Sequence, residues 1–310
     1  MRLFKSWLLP KSKLKMKRLT IIYFFILTLI MSSCSHQGKE KENPNLLNDY
    51  NSFLLKLDST EITTVPSAIT KYQTLFKNGS IGNKDSAFVL FSSYYEKVDR
   101  NVNQKMEKDT TNFDPLISLD ANMNPLPISE KLKKYKDRIE QNGFEISSTE
   151  GMAYLKQDRD YIAKNFYGYV SKTMRVYLEQ VNRENKEGFQ EDAGLTIEPK
   201  AFVDRVVWWE NFITNNNNFM MLEDAKERKK YLLTFLIIGM DNTQVLSYDS
   251  SGIEEYYKIA YTYLQNKFPN SETAKIILPY FNALLEKDIA KAEQIVNDYK
   301  RHKQIIDFHE

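Results

Sequence analysis

The strongest constraint on this chain is a helical spacing of apolar residues that begins near Asn45 and recurs almost to its end. Leu46, Leu47, Tyr50, Phe53, Leu54 and Leu57 fall at i, i+1, i+4, i+7, i+8 and i+11, which draws one stripe along a helix. Ile69, Tyr72, Leu75 and Phe76 continue it after Thr64, a candidate cap ahead of Pro66, and Asn78-Gly79 ends it. A longer helix is expected over about 84–108, with Ala87, Phe91, Tyr94, Val98, Val102 and Met106 inward. Only 10 of 310 residues are Gly. Folds that rely on glycine turns and phosphate loops are disfavoured, and the fold class expected is all-α, built of antiparallel helix pairs.

Residues 109–128 interrupt the pattern with Asp114-Pro115, Asn124-Pro125 and Pro127. Each residue before a proline is pushed away from the helical region, so this is a subdomain boundary or a long surface loop. Ser129 is expected to cap a charged helix that ends at Asn142-Gly143. The reading adopted divides the chain into an N-terminal helical subdomain, 45–145, and a helical domain, 146–310. From Glu150 onward, Ile162, Phe166, Tyr169, Val170, Thr173, Tyr177 and Val181 predict one helix to about Asn185. The polar stretch after Arg183 holds Glu184, Glu187, Glu191 and Asp192. It lacks the alternation and central Gly of a calcium loop and is expected to be solvated. Further helices are expected over about 199–214, 219–239, 252–267, 271–286 and 288–303. The apolar run Tyr231 to Ile238 is too short to span a bilayer and reads as core.

The N-terminus reads as an address. Arg2, Lys5, Lys11, Lys13, Lys15, Lys17 and Arg18 precede the uncharged run Leu19 to Met31, which is of signal-peptide length. Met16-Lys17-Arg18 also forms a compact basic start. The run closes in Met31-Ser32-Ser33-Cys34, which resembles the lipobox of bacterial lipoproteins. The resemblance implies removal of residues 1–33, acylation of Cys34, and anchoring to the membrane through the acyl chains. It also implies that the lone thiol is consumed, so no cysteine remains for a disulfide, a nucleophile or a metal. Ser35, where an inner-membrane lipoprotein usually has Asp, implies an outer-membrane lipoprotein, periplasmic or surface-facing. Residues 34–44 read as a flexible tether. Lys39-Glu40-Lys41-Glu42 within it faintly resembles surface-export signals of Bacteroidota lipoproteins. Without the seven basic residues of 1–33, 36 Lys and Arg face 41 Asp and Glu, and the charge moves from +2 to −5.

Near the C-terminus, Ala260, Leu264, Phe268-Pro269-Asn270-Ser271 and Ala274 form a helix–turn–helix pattern. It is similar to tetratricopeptide (TPR)-type repeats of outer-membrane lipoproteins, in which small residues lie where paired helices touch. The segment from Phe212 to Leu233 echoes it about 52 residues upstream, with four Asn in place of the proline turn. A short TPR-like solenoid and an irregular helical bundle are the two architectures this allows. Pro279 falls inside the second helix of the pair and is expected to remove one hydrogen bond there.

The catalytic inventory is thin. The three His are His36, His302 and His309, in the tether or the last nine residues. No dinucleotide or P-loop glycine pattern and no Gly-x-Ser-x-Gly is present, so no cofactor, no metal site and no enzymatic role are expected. Asp204 and Glu210 flank Trp208-Trp209 six residues apart, on different sides of a helix. The basic run Lys226 to Lys230 is short, interleaved with acids, and gives no support for nucleic acid as a partner. Trp208 and Trp209, with Tyr257 and Tyr261, are the candidate binding residues. The function expected is a lipid-anchored, non-enzymatic scaffold for envelope proteins or peptides. The alternative is a small-solute or glycan binder with an aromatic pocket, and a carboxylate-based enzyme ranks below both.

Overall fold

Most of the apolar stripes become inner faces of helices in the computed structural model, which describes residues 44–109, 112–149, 151–248 and 252–308. Cys34, the signal segment, residues 34–43 of the tether, His36 and His309 lie outside the described residues, and the last tether residue, Pro44, opens the first helix. The fold is mainly helical. Among the described residues there are eleven α-helices and two short antiparallel hairpins. None of these helices is long and apolar enough to cross a membrane.

The first three helices, α1 (Pro44–Leu54), α2 (Thr64–Phe76) and α3 (Ile81–Met106), pack on one another. Their seam is aromatic. Tyr50, Tyr72, Phe76 and Phe91 are all fully buried, and Tyr50 meets Phe76 edge-on with centroids 5.7 Å apart. The two buried phenols are satisfied through backbone carbonyls, Tyr50 donating to Ala68 and Tyr72 to Lys84, each at 3.1 Å. Ser80 starts α3 by accepting from the Asn83 amide. The inward residues of α3 are those its spacing predicts: Ala87, Phe91, Tyr94, Val98, Val102 and Met106 are all buried.

The segment after α3 contains a single 3-10 turn, Asp114–Leu116, and an Asx-type turn in which Asp120 accepts from the amides of Asn122 and Asn124. Phe113 packs on Tyr135 at 5.1 Å, tying the segment to α4 (Glu130–Gln141). Ser129 caps α4, accepting from the Leu132 amide.

Helix was expected from Glu150, but the chain forms a hairpin instead, β1 (Phe144–Thr149) paired with β2 (Met152–Gln157). The 145/146 subdomain division falls inside β1, and residues Glu42–Glu310 form one compact unit. The hairpin is held by tertiary contacts. Asn103 of α3 accepts from the Leu155 amide and donates to the Leu155 carbonyl, both at 2.8 Å, and so completes the outer edge of β2. At its entry Gly143 has φ +88°, and a Cβ there would lie 2.7 Å from the Tyr161 ring.

The single helix expected to Asn185 is two, α5 (Arg159–Phe166) and α6 (Lys172–Glu187). The break has a local cause and a distant one. Ser171 caps α6 by accepting from Met174, while its own amide donates to Asp85 of α3 at 2.8 Å. A two-residue-strand hairpin, β3 (Gln190–Glu191) and β4 (Gly194–Leu195), follows, so the polar stretch expected as solvated loop is half helix and half hairpin.

Five helices complete the chain: α7 (Pro199–Asn215), α8 (Leu222–Ile238), α9 (Glu255–Lys267), α10 (Glu272–Leu285) and α11 (Ile289–Arg301). Helix α7 is the hub, in contact with α8, α9 and α10. The Phe268-Pro269 turn ends α9, and Ser271 caps α10 by accepting from the Ala274 amide at 3.0 Å. Glu210 of α7 caps α10 a second time. Its buried carboxylate accepts from the amides of Glu272 and Thr273 at 2.8 Å and from the Thr273 hydroxyl at 2.7 Å. Helix α10 runs through Pro279.

Candidate functional site

Helical spacing builds the site. In α6, Gln180 and Glu184 are four residues apart, as are Arg205 and Trp209 in α7 and Asp224 and Arg228 in α8. Each pair therefore shares one face of its helix, and the three faces converge. Lys156 from the end of β2 and Arg159 from the start of α5 complete the wall, with Ile306 of the C-terminal tail across from them. The space enclosed is a cleft of about 620 Å³. A smaller cavity of about 290 Å³, bounded by Glu96, Asp99 and Asn103 of α3, shares Lys156, Arg159 and Asn185 with it.

The polar groups beneath the cleft are held in a network. The buried Trp209 indole donates to Glu184 at 2.7 Å, and Gln180 donates to the same carboxylate. Tyr177 donates its phenol to Asp224. Arg228 donates from Nε to Asp224 at 2.6 Å and to the Tyr177 oxygen at 3.3 Å, with its guanidinium 5.9 Å from the centroids of Tyr177 and Trp209. Arg205, only 4% exposed, bridges to Glu187 at 2.9 Å and donates twice to the Gly188 carbonyl at 3.0 Å. That carbonyl is presented by a turn with φ +74° at Gly188, where α6 ends.

Electrostatics follow from burial. Desolvation raises the Glu184 carboxyl above its ordinary range, against the pull of its hydrogen-bond donors and Arg205. Asp99 is raised by the same cause. Burial works against the Arg228 charge, but Tyr177 and Asp224 outweigh it and hold the guanidinium above its usual value. Arg159 goes the other way, lowered by burial and by the like charge of Arg228.

None of the four binding residues read from sequence lines the cleft; Trp209 is fully buried and donates to Glu184, which does line it. Trp208 is half-buried and stacks on Phe212 at 5.2 Å, with 11° between the planes. Tyr257 and Tyr261 are core residues with no exposed surface. Their hydroxyls donate to the Phe235 and Leu236 carbonyls at 3.1 and 2.7 Å. Asp204 accepts from Tyr263 and Lys267, and Glu210 caps α10, so the two acids flanking the Trp pair serve separate helix junctions. His302 is exposed, with Nδ1 2.7 Å from the Asp298 carbonyl. Among the described residues no cluster of His, Cys, Asp or Glu is arranged to hold a metal ion.

No protein-family model, no curated protein and no solved structure matches this chain. The cleft therefore has to be read from its own residues. The arginines that line it were not singled out in the sequence, where Arg228 looked like part of an exposed basic run. Arg205 did leave a signal, since it sits between Phe202 and Val206, both fully buried, on a helix with an apolar inner face.

Proposed function

We propose that this protein is a lipid-anchored receptor of the bacterial cell envelope that binds a small solute in the Arg159 cleft without transforming it. One observation carries the reading. A cleft of about 620 Å³ is walled by five elements, and of its polar side chains Glu184, Arg205, Asp224 and Arg228 are fixed by partners behind it. That size lies within the range of small-ligand sites, roughly 300–1,000 Å³. A network made before the ligand arrives lowers the ordering cost of binding. Its carboxylates act as acceptors for the wall, Glu184 for Trp209 and Gln180, Asp224 for Tyr177 and Arg228, which suits a rigid binding surface better than an acid–base pair.

Anchoring rests on the lipobox resemblance at Cys34, with Ser35 favouring the outer membrane. The tether of residues 34–44 would give the folded unit a reach of up to about 35 Å from the bilayer. Cys34→Ala is expected to abolish lipid labelling and membrane fractionation; unchanged fractionation would remove the anchor from this reading.

The binding role is tested by screening the purified mature protein against solutes by thermal unfolding, beside Asn185→Trp, which places an indole in the cleft wall. A solute that binds there should raise the midpoint of the wild type and not of the variant. Equal responses would place binding elsewhere.

A second reading, a scaffold for envelope proteins or peptides built on TPR-like helix pairs, is favoured by α9 to α11. The Phe268-Pro269 turn, the Ser271 cap, and the fully buried Ala260 and Ala274 are the features such pairs use. Crosslinking in intact envelopes followed by pulldown is its test, with a discrete partner expected.

A further inference from the structure

The cations around the cleft differ in one respect. Lys156 pairs with Glu145 at 3.3 Å and donates to the Asn185 carbonyl. Arg205 has Glu187 and Gly188, and Arg228 has Asp224 and Tyr177. Arg159 stands apart. Among the described residues its guanidinium donates no hydrogen bond, and no carboxylate oxygen lies within 4.0 Å of it. It borders both the larger and the smaller cavity, where they meet.

A guanidinium carries five N–H donors in a planar fork and loses much of its hydration when partly buried. Proteins rarely leave such a group unpartnered, because the charge is then held at a cost with nothing to offset it. Here that cost is increased by the like charge of Arg228. Glu96 and Asp99 lie near enough to act on the Arg159 charge, but among the described residues neither forms an ion pair with it. Glu184 and Asp224 on the cleft wall are occupied by Trp209, Gln180, Tyr177 and Arg228.

We infer that the cleft receives the oxyanion of a small organic acid or phosphate ester, with Arg159 as the cation that docks it. This rests on the cleft being a ligand site, as proposed above. The oxyanion lies against the Arg159 fork, where paired N–H···O bonds match a carboxylate or phosphate edge. The remainder of the ligand lies in the larger cavity, along Val181, Phe189 and Leu232. Glu96 and Asp99 border the smaller cavity and repel a second negative group, which restricts the site to ligands with one anionic end.

The test uses the mature protein in detergent, at ionic strength matched with chloride. The probes are inorganic phosphate, benzoate, and benzyl alcohol as the neutral counterpart of benzoate. Thermal unfolding is followed for the wild type, Arg159→Gln, Arg159→Lys and Asn185→Trp. Phosphate or benzoate is expected to raise the wild-type midpoint, and the stronger of the two assigns the class. Arg159→Gln should weaken that anion about tenfold or more, and Arg159→Lys less. The unliganded Arg159→Gln protein should be at least as stable as the wild type, since among the described residues Arg159 makes no hydrogen bond or ion pair. Equal anion affinity in wild type and Arg159→Gln overturns the inference, as does the absence of any anion response. If benzyl alcohol binds the wild type and is blocked by Asn185→Trp while Arg159→Gln changes nothing, the cleft is a ligand site for neutral molecules and only the anion assignment falls. If Asn185→Trp alters no probe, the cleft reading falls with it.

Discussion

Two charged side chains withdrawn from water meet opposite arrangements in this protein. Glu210 of α7 is buried against the start of α10, taking three hydrogen bonds of 2.7–2.8 Å from Glu272 and Thr273. Arg159, at the start of α5, faces open space and has no such partner among the described residues. The first charge is part of the architecture, because the fold itself supplies every group it needs. The second is kept where the fold leaves room, and the group that completes it has to come from outside. A list of buried charges does not separate the two; their partners do.

The sharpest way to break the contrast is Glu210→Ala. It strands two backbone amides and a hydroxyl at a buried helix end, and a loss of about 3–4 kcal/mol is expected in urea unfolding. A loss below about 1 kcal/mol would mean that α10 is positioned by apolar packing alone. Tyr261→Phe comes next. It removes a buried bond to the Leu236 carbonyl and should cost about 1 kcal/mol without changing any response to ligands. A lost response would return Tyr261 to the binding residues.

Arg159→Gln sharpens the other side. Removing a charge that burial and Arg228 disfavour should raise the unliganded midpoint by about 1–3 °C, a stability gain of the kind that binding residues commonly yield. A fall of similar size would make Arg159 a structural residue. Glu184 supplies a pH test. Its pKa is raised in the folded state by desolvation, so above the ordinary value of 4.5 the folded protein holds a proton that the unfolded chain has released. Stability therefore falls as pH rises from about 4.5 through the raised value, and Glu184→Gln, which keeps an acceptor for Trp209, should flatten that fall. Urea midpoints between pH 4 and 8 measure it. The smallest effect belongs to Lys267→Ala at the exposed Asp204 pair, where no measurable change in unfolding midpoint is expected.

Much of the fold was readable because its signals are local. The Ser129 and Ser271 caps, the Phe268-Pro269 turn and the inward stripe of α3 each depend on residues within a few turns of one another. The failures share a different cause. The hairpin of β1 and β2 is fixed by Asn103, 52 residues from Leu155, and the gap between α5 and α6 by Asp85 as well as Ser171. The cleft failed for a related reason. A charged pair at i and i+4, such as Asp224 and Arg228, has the same spacing on a solvated helix face as on a cavity wall. Trp209 was read as a candidate binding residue, but it is buried and donates to Glu184, which in the sequence read as part of a polar loop.

By itself, then, the sequence determined a mainly helical chain, the positions of most of its helices, and the scarcity of groups for cofactor or nucleophile chemistry. Those follow from periodicity and composition, which every short window of the chain carries. Tertiary structure alone decided which charges are enclosed, which partners they have, and where a cavity remains between them. The reason is physical: desolvation and pairing depend on atoms brought together from distant segments. Arg159, Arg205 and Arg228 are alike as letters, and only the packing around them leaves Arg159, among the described residues, without a hydrogen bond or ion pair.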